Sequence, residues 1–415
     1  MRVEKNVPDI RFKRFSGEWM EHNLGELIDI RSAARVHKEQ WTETGVPFFR
    51  TSDVVSIYKG QENAKAFISY DVYKELTGKI GKVSSGDLLV TGGGSIGIPF
   101  LVPNDEPLYF KDADLLWFKN DQKFDGYYLY TFLFSKAFKK YIKSISHIGT
   151  IAHYTIEQAK ATPIKKCERA EQTAIGNTFQ KLDNLINQHK QKHDKLSNIK
   201  KAMLEKMFPK QGETMPEIRF KGFSGEWEVM TLGEAAPLRG GFAFQSSEFF
   251  DSGIPIIKIS NILATGEVGG EFNYYKEIIA DENYLLLDGA ALLAMSGATT
   301  GKVSILKCHH ETKFYQNQRV GYFQRNTYFD YLFISTLVRS HIFRDKLDAV
   351  LVAGAQPNVS SKEIDSFKFM MPKDLEEQTA IGNYFQKLDA LINQHQHQIT
   401  KLTNIKQACL SKMFV

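Results

Sequence analysis

The side chains best placed for chemistry in this sequence are polar groups gathered in short Gly- and Ser-rich stretches. "HIGTIAHYT" carries Thr150 and His153, and "VAGAQPNVS" carries Gln356 and Asn358 at the matching place of the second half. "FYQNQRV" sets Gln316, Asn317, Gln318 and Arg319 in a row, and "LRGGFAFQSS" contributes Arg239 and Gln245. Amide and guanidinium groups of this kind make paired hydrogen bonds to adenine and guanine edges in the major groove, each worth ~1–3 kcal/mol of discrimination. The turn Gly92–Gly97 presents Ser95, and its counterpart "SGATTGKV" presents Thr299, Thr300 and Lys302. Lys136, Lys139, Lys140 and Lys143 recur at helical spacing near one face, a pattern suited to phosphate contacts. Arg339, His341, Arg344 and Lys346 sit similarly in the second half. These residues form the candidate DNA-contacting set.

Catalytic chemistry finds no comparable pattern. Neither Gly-rich turn closes as a phosphate loop, because Gly-Lys-Ser/Thr is missing and Val303 stands where the magnesium-binding hydroxyl would be. The Asn/Asp-Pro-Pro-Tyr/Phe motif of amino-methyltransferases is absent, as is a Gly-x-Gly loop suited to S-adenosylmethionine. Asp105 and Asp121-Gln122-Lys123 have a nuclease-like spacing that the second half does not repeat. Adjacent residues such as Cys308-His309-His310 rarely converge on one ion, and three scattered cysteines make no disulfide framework. No catalytic residue and no metal ligand is assigned.

The elements that hold these residues are written twice. "VPDIRFKRFSGEW" (7–19) returns as "MPEIRFKGFSGEW" (215–227), and the block 171–208 returns as 377–414 with 27 of 38 positions identical. Between them the halves have diverged while keeping a frame. "GVPFFRTSDV" (45–54) matches "GIPIIKISNI" (253–262), and "LLVTGGGSIG" (88–97) aligns without a gap on "LLAMSGATTG" (292–301). Short β-rich runs alternate with helical stretches in each half, which makes an α+β domain of ordinary size. The expected order is an opening arm with a first globular domain (1–167), a helix (168–210), a linker with a second globular domain (211–372) and a second helix (373–415). Near-identical helices with divergent globular parts are what two reading heads on one chassis require.

The repeated block has coiled-coil spacing. Ile175, Phe179, Leu182, Ile186, Leu196 and Ile199 mark the stripe in the first copy, and Ile381, Phe385, Leu388, Ile392, Leu402 and Ile405 mark it in the second. A helix of ~35 residues spans ~50 Å and needs a partner in water. The other copy is the simplest one, and two copies of one sequence favour an antiparallel, pseudo-two-fold pair. Leu185, Leu204, Leu391 and Leu410 widen each stripe, as a docking surface for another protein would.

Composition sets the remaining limits. A chain of 415 residues with 42% hydrophobic residues holds two to three domains. No apolar run approaches the ~20 residues of a membrane span, and the N-terminus has no signal core, so a cytoplasmic protein is expected. The net charge of +5 is small and divided: residues 22–167 hold 19 Lys/Arg against 16 Asp/Glu, residues 229–371 hold 13 against 15, and the helix region 168–210 holds 9 against 5. A non-specific DNA coat is more basic than this, so DNA binding here must use local patches.

"EQTAIGNxFQKLDxLINQH", preceded by "GAQPNVSSKEIDSFKFMMP" and doubled with its "IRFxxFSGEW" openings, resembles the specificity subunit of type I restriction–modification systems over essentially the whole chain. The resemblance implies two target recognition domains that each read one part of a split double-stranded DNA site. It implies repeated helices that pair antiparallel, fix the spacing and bind two methylation subunits. Those partners would carry S-adenosylmethionine and the adenine-N6 chemistry, with no cofactor on this chain, and restriction (motor–nuclease) subunits would join the complex. The first half departs from the pattern at "GTIAHYTIEQAKATPIKKCERAEQ", where "GAQPNVS" and "MMP" are missing. Two competing readings remain at this level: a stand-alone DNA-modifying enzyme, which the missing motifs oppose, and a coiled-coil scaffold without a DNA role.

Overall fold

A computed structural model describes residues 6–112, 114–145, 153–277, 283–309, 312–353 and 358–415. Six helices organise it: α1 (Gly126–Phe132), α2 (Lys136–Ile145), α3 (Arg169–Lys206), α4 (Tyr331–Leu337), α5 (His341–Ala353) and α6 (Leu375–Lys412). The chain forms two compact units, Met1–Lys190 with Gln396–Val415, and Gln191–His395. These are not the four consecutive segments expected from the sequence. Each unit takes its own globular part, the first half of the helix that follows it, and the last half of the other helix.

In the first unit a four-stranded antiparallel sheet runs in the order Asp29–Ser32, Leu115–Lys119, Leu88–Thr91, Pro99–Leu101. All four residues of Leu88–Thr91 are buried. Successive strand residues point to opposite faces, so Leu88 and Val90 enter one core with Phe118 and Phe132, while Leu89 enters another with Trp117 and Phe110. A second sheet pairs Val46–Phe49 in parallel with Tyr109–Phe110. The opening strand Met20–Asn23 pairs antiparallel with Pro163–Lys166, which ties the start of the domain to its end.

The second unit repeats this plan. Leu238–Arg239, Val320–Phe323, Ala291–Ala294 and Val303–Ile305 form the first sheet, Ile254–Ile257 pairs in parallel with Phe314–Gln316, and Glu228–Thr231 pairs with Lys368–Met371. The halves differ where they meet solvent. The first unit inserts the helix Thr51–Lys59, where the second has only the 3-10 turn Ile259–Asn261.

The pairing partners correct one alignment. Thr91 pairs with Leu115 as Ala294 pairs with Val320, so Leu89 corresponds to Leu292 and Leu88 to Ala291. The ungapped match of 88–97 to 292–301 is therefore one residue out along the strand, because two Leu-Leu pairs attracted each other. The turn that follows is one residue longer in the second unit.

The repeated words of the sequence encode a junction. In "EQTAIG", the buried carboxylate of Glu171 accepts from Nε and Nη2 of Arg11, both at 2.7 Å, and from Trp19 Nε1 at 3.2 Å. Arg11 also donates to the carbonyls of Ser16 and Gly17, which closes the "FSGEW" turn. Arg219 and Glu377 repeat the pair at 2.6 and 2.7 Å. Gln172 accepts from the N–H of Asp125 and donates to the Cys167 carbonyl; Gln378 does the same with Asp330 and Pro372. Gly176 and Gly382 then lie against the first turns of α1 and α4, where a Cβ would sit 2.3 Å from Asp125 and 2.6 Å from Leu332.

Within each unit the two helix halves run antiparallel. In the first, Phe179 meets Phe414 at 6.1 Å while Asp183 takes the ammonium of Lys406. In the second, Asp389 takes Lys200, and Arg339 adds a bond of 2.7 Å. Burial pushes the pKa of Asp389 up, but Arg339 and Lys200 together hold it below the usual carboxylate value. Ile175, Phe179, Ile186, Ile381, Phe385 and Leu388 are buried, and Leu182, Leu196, Ile199, Ile392 and Leu402 are half-buried. Ile405 is the exception at 41% exposed; beside it Lys406 turns inward, its ammonium 5.8 Å from the Phe134 ring. The wider ridge divides: Leu410 and Leu204 pack in their own units, while Leu185 and Leu391 stay 42% and 43% exposed.

The last residues of the chain close the first unit. Leu410, Met413 and Phe414 belong to its core, the Phe414 ring lying 5.5 Å from Tyr128 and 6.2 Å from Phe132. Phe414→Ala is expected to cost about 3–5 kcal/mol. Hydrogen exchange should then show faster opening of α1 while α4 keeps its protection; equal loss in both helices would contradict this assignment.

Candidate nucleic-acid interface

In the first unit the turn after Leu88–Thr91 is held from three sides. The Gly92 N–H donates to the Asp114 carbonyl and its own carbonyl accepts from Tyr154, both at 2.8 Å, and Gly93 pairs with His153. Gly97 has a left-handed φ of +76°, and a Cβ there would sit 3.0 Å from Phe138 of α2. Only glycine suits both demands. The turn is thereby seated on one side of α2; Ser95 and His153 are exposed, and Lys136, Lys139, Lys140 and Lys143 are exposed on the other side of that helix.

The second unit builds the same cluster from other side chains. Met295 N–H donates to the Arg319 carbonyl and its carbonyl accepts from Val359, both at 3.0 Å, and Ser296 pairs with Asn358. Gly301, at φ +86°, lies against Leu347 of α5. Gln318, Arg319 and Asn358 are exposed and Asn317 is half-buried. The neighbouring segment is tied in by a Phe242–Asn317 bridge and carries the exposed Gln245. Thr299 spends its hydroxyl on the Ile259 carbonyl at 3.1 Å, and Lys302 is half-buried at the end of the turn.

Two expected contact residues prove internal. Gln316 has no exposed surface. Its amide donates to the carbonyls of Arg239 (2.8 Å) and Val320 (2.6 Å) and accepts from the Arg239 guanidinium at 2.9 Å. Arg239 is half-buried over the Tyr322 ring at 4.9 Å, and burial lowers its pKa. With their hydrogen bonds spent on each other, this pair braces the two sheets and leaves little for a base. Thr150 and Gln356 lie outside the described residues, as does His310 of the Cys-His-His run.

The second-half cations also part from expectation. Arg339 is committed to Asp389, Lys346 lies over Phe369 at 5.6 Å, and His341 Nδ1 is buried. α2 and α5 open alike, the Lys139 N–H donating to the Ser135 carbonyl as the Arg344 N–H donates to that of Ser340, so Lys136, Lys139, Lys140 and Lys143 correspond to His341, Arg344, Asp345 and Asp348. The sequence reading also missed Asp114, which takes the place of Arg319 beside the turn and pairs with Lys111. The halves are one residue out of step there, so comparison of the two strings gave no signal for it. A cleft of ≈ 780 Å³ in the second unit, lined by Lys302, Arg344 and Asp389 among others, has its Asp389 already matched by two cations. Among the described residues no helix is long and apolar enough to cross a membrane.

Comparison with known proteins decides the family. The description "Type I restriction modification DNA specificity domain" matches residues 16–198 and again 224–404. The chain belongs to this family. It is 27% identical over 280 residues to the type I restriction enzyme MjaVIII specificity subunit of Methanocaldococcus jannaschii, a match spanning 64% of this chain and 64% of that relative's length. In fold it is similar to the type I restriction–modification S subunit from M. genitalium, with a TM-score of 0.62 at 17% identity over 99% of both chains.

The two kinds of polar residue separate by experiment. Gln316→Ala leaves buried partners unsatisfied and is expected to cost about 1–3 kcal/mol of stability without altering which DNA sequences are preferred. Arg319→Ala is expected to keep stability and to lose about 1–3 kcal/mol of discrimination at one base pair. Thermal melts and competition binding on single-base variants check both; the reverse pattern would refute the assignment.

Proposed function

We propose that this chain is the DNA sequence-specificity subunit of a type I restriction–modification complex. Each unit reads one part of a split double-stranded site through its turn cluster, and the number of residues in α3 and α6 sets the base pairs between the parts. The observation that carries this reading is the doubled specificity domain, in which one scaffold presents Ser95 and His153 in the first copy and Gln318, Arg319 and Asn358 in the second. A shared frame with changed exposed groups is how two different base sequences would be read.

On this reading the chain supplies recognition, and methyl transfer to adenine N6 belongs to two methylation subunits that bind S-adenosylmethionine. Leu185 and Leu391, exposed on α3 and α6, offer those subunits an apolar footing. Because the target atom is inside the duplex, the partner must extrude the adenine. Restriction subunits would join through the same complex, which acts on DNA in the cytoplasm.

Single-molecule methylation mapping of a host expressing this chain with a methylation partner tests the proposal. One asymmetric split motif is expected, and it should vanish when this chain is deleted. An assembled complex that adds no modified motif would overturn the reading in favour of a scaffold.

A further inference from the structure

The four lysines of α2 lie within an arc of about 100° when 3.6 residues make a turn, and all four are exposed. Phe138, Tyr141, Ile142 and Ile145 occupy the opposite side and face the core. The helix contains no acidic residue, and its first turn holds Lys136 and Lys139 where the helix dipole already concentrates positive charge. Cations placed there are disfavoured by the dipole without a counter-charge. The unit's ion pairs use other lysines, such as Lys111 with Asp114 and Lys160 with Glu157, and none of the four is in one among the described residues.

The fold does not require this charge. At the corresponding positions α5 carries His341, Arg344, Asp345 and Asp348, one permanent positive charge and two negative, on a helix that packs against the Gly301 turn through Leu347 and Leu351. The lysine face is thus an addition to the first unit, carried on the helix whose opposite side packs on Gly97 of the candidate reading turn through Phe138 and Ile142. From Lys136 to Lys143 the helix rises about 10 Å, close to three phosphates at 3.4 Å of axis each along one strand.

We propose that the lysine face of α2 runs along the DNA phosphates flanking the first half-site, giving the first unit a phosphate grip that the second lacks. The inference rests on the DNA-reading function proposed above. It makes binding by the first unit the more salt-dependent, while the second relies on the Gln318, Arg319 and Asn358 cluster.

The test is a salt titration of DNA binding by the complex assembled with its methylation subunits. In the variant Lys136→Gln, Lys139→Gln, Lys140→Gln, Lys143→Gln, the slope of log K against log[salt] should become shallower by about 2–4, at about 0.9 for each phosphate no longer neutralised. Affinity should fall equally for matched and mismatched DNA, and the mapped motif should not change. Lys140→Gln alone should remove about 0.9 of slope, and arginine at all four positions should preserve it. An unchanged slope in the assembled glutamine variant overturns the proposal. So does loss of methylation-subunit uptake in the glutamine variant with a retained fold, which would assign the face to a protein partner. A wild-type complex that binds no DNA would instead overturn the proposed function itself.

Discussion

Everything in this molecule depends on how each unit is closed. Neither globular part completes its core with the helix that directly follows it alone. The first needs Leu410, Met413 and Phe414 from the far end of α6, and the second needs Met207 and Phe208 from the end of α3. Burying several large side chains this way is worth several kcal/mol per unit, at about 1.5–3 kcal/mol for each, which is a large share of the stability of a small domain. Each of the two long helices therefore contributes to both cores.

That constraint explains which parts of the sequence kept their likeness. Glu171 and Glu377 are buried carboxylates, and each would be strongly destabilising without its arginine. Asp183 with Lys406 and Asp389 with Lys200 form a reciprocal set, the aspartate of each repeat meeting the lysine of the other. A change in one repeat must therefore suit a partner in the other copy, which keeps the blocks alike. The turn clusters carry no such obligation. Beyond Gly97, Gly301, the backbone bonds around Gly92 and Met295 and internal hydroxyl bonds such as that of Thr299 to Ile259, the exposed side chains differ between the two turns.

Much of the architecture was legible because it was repeated. The duplicated blocks gave two long helices, and their apolar spacing gave the buried stripe at Ile175, Phe179, Ile381 and Phe385. The family resemblance rested on those same words. What escaped was whatever depends on register or on partners distant in sequence. The Leu-Leu match hid a one-residue shift between Leu88–Thr91 and Ala291–Ala294, and with it the equivalence of Asp114 and Arg319. Gln316 and Arg239 looked like base readers because polar residues near a turn usually face water; here each satisfies the other inside the sheet junction. The discontinuous make-up of the units was invisible, since nothing in a linear repeat says which copy's helix end fills which core.

The central claim is that the two units read independently on an interchangeable chassis. Its most direct test is a chain in which residues 22–165 replace residues 230–371, so that both positions carry the first reader, followed by methylation mapping of the assembled complex. The account predicts a motif that contains the first half-site twice and the second not at all. A motif that still contains the second half-site would contradict it.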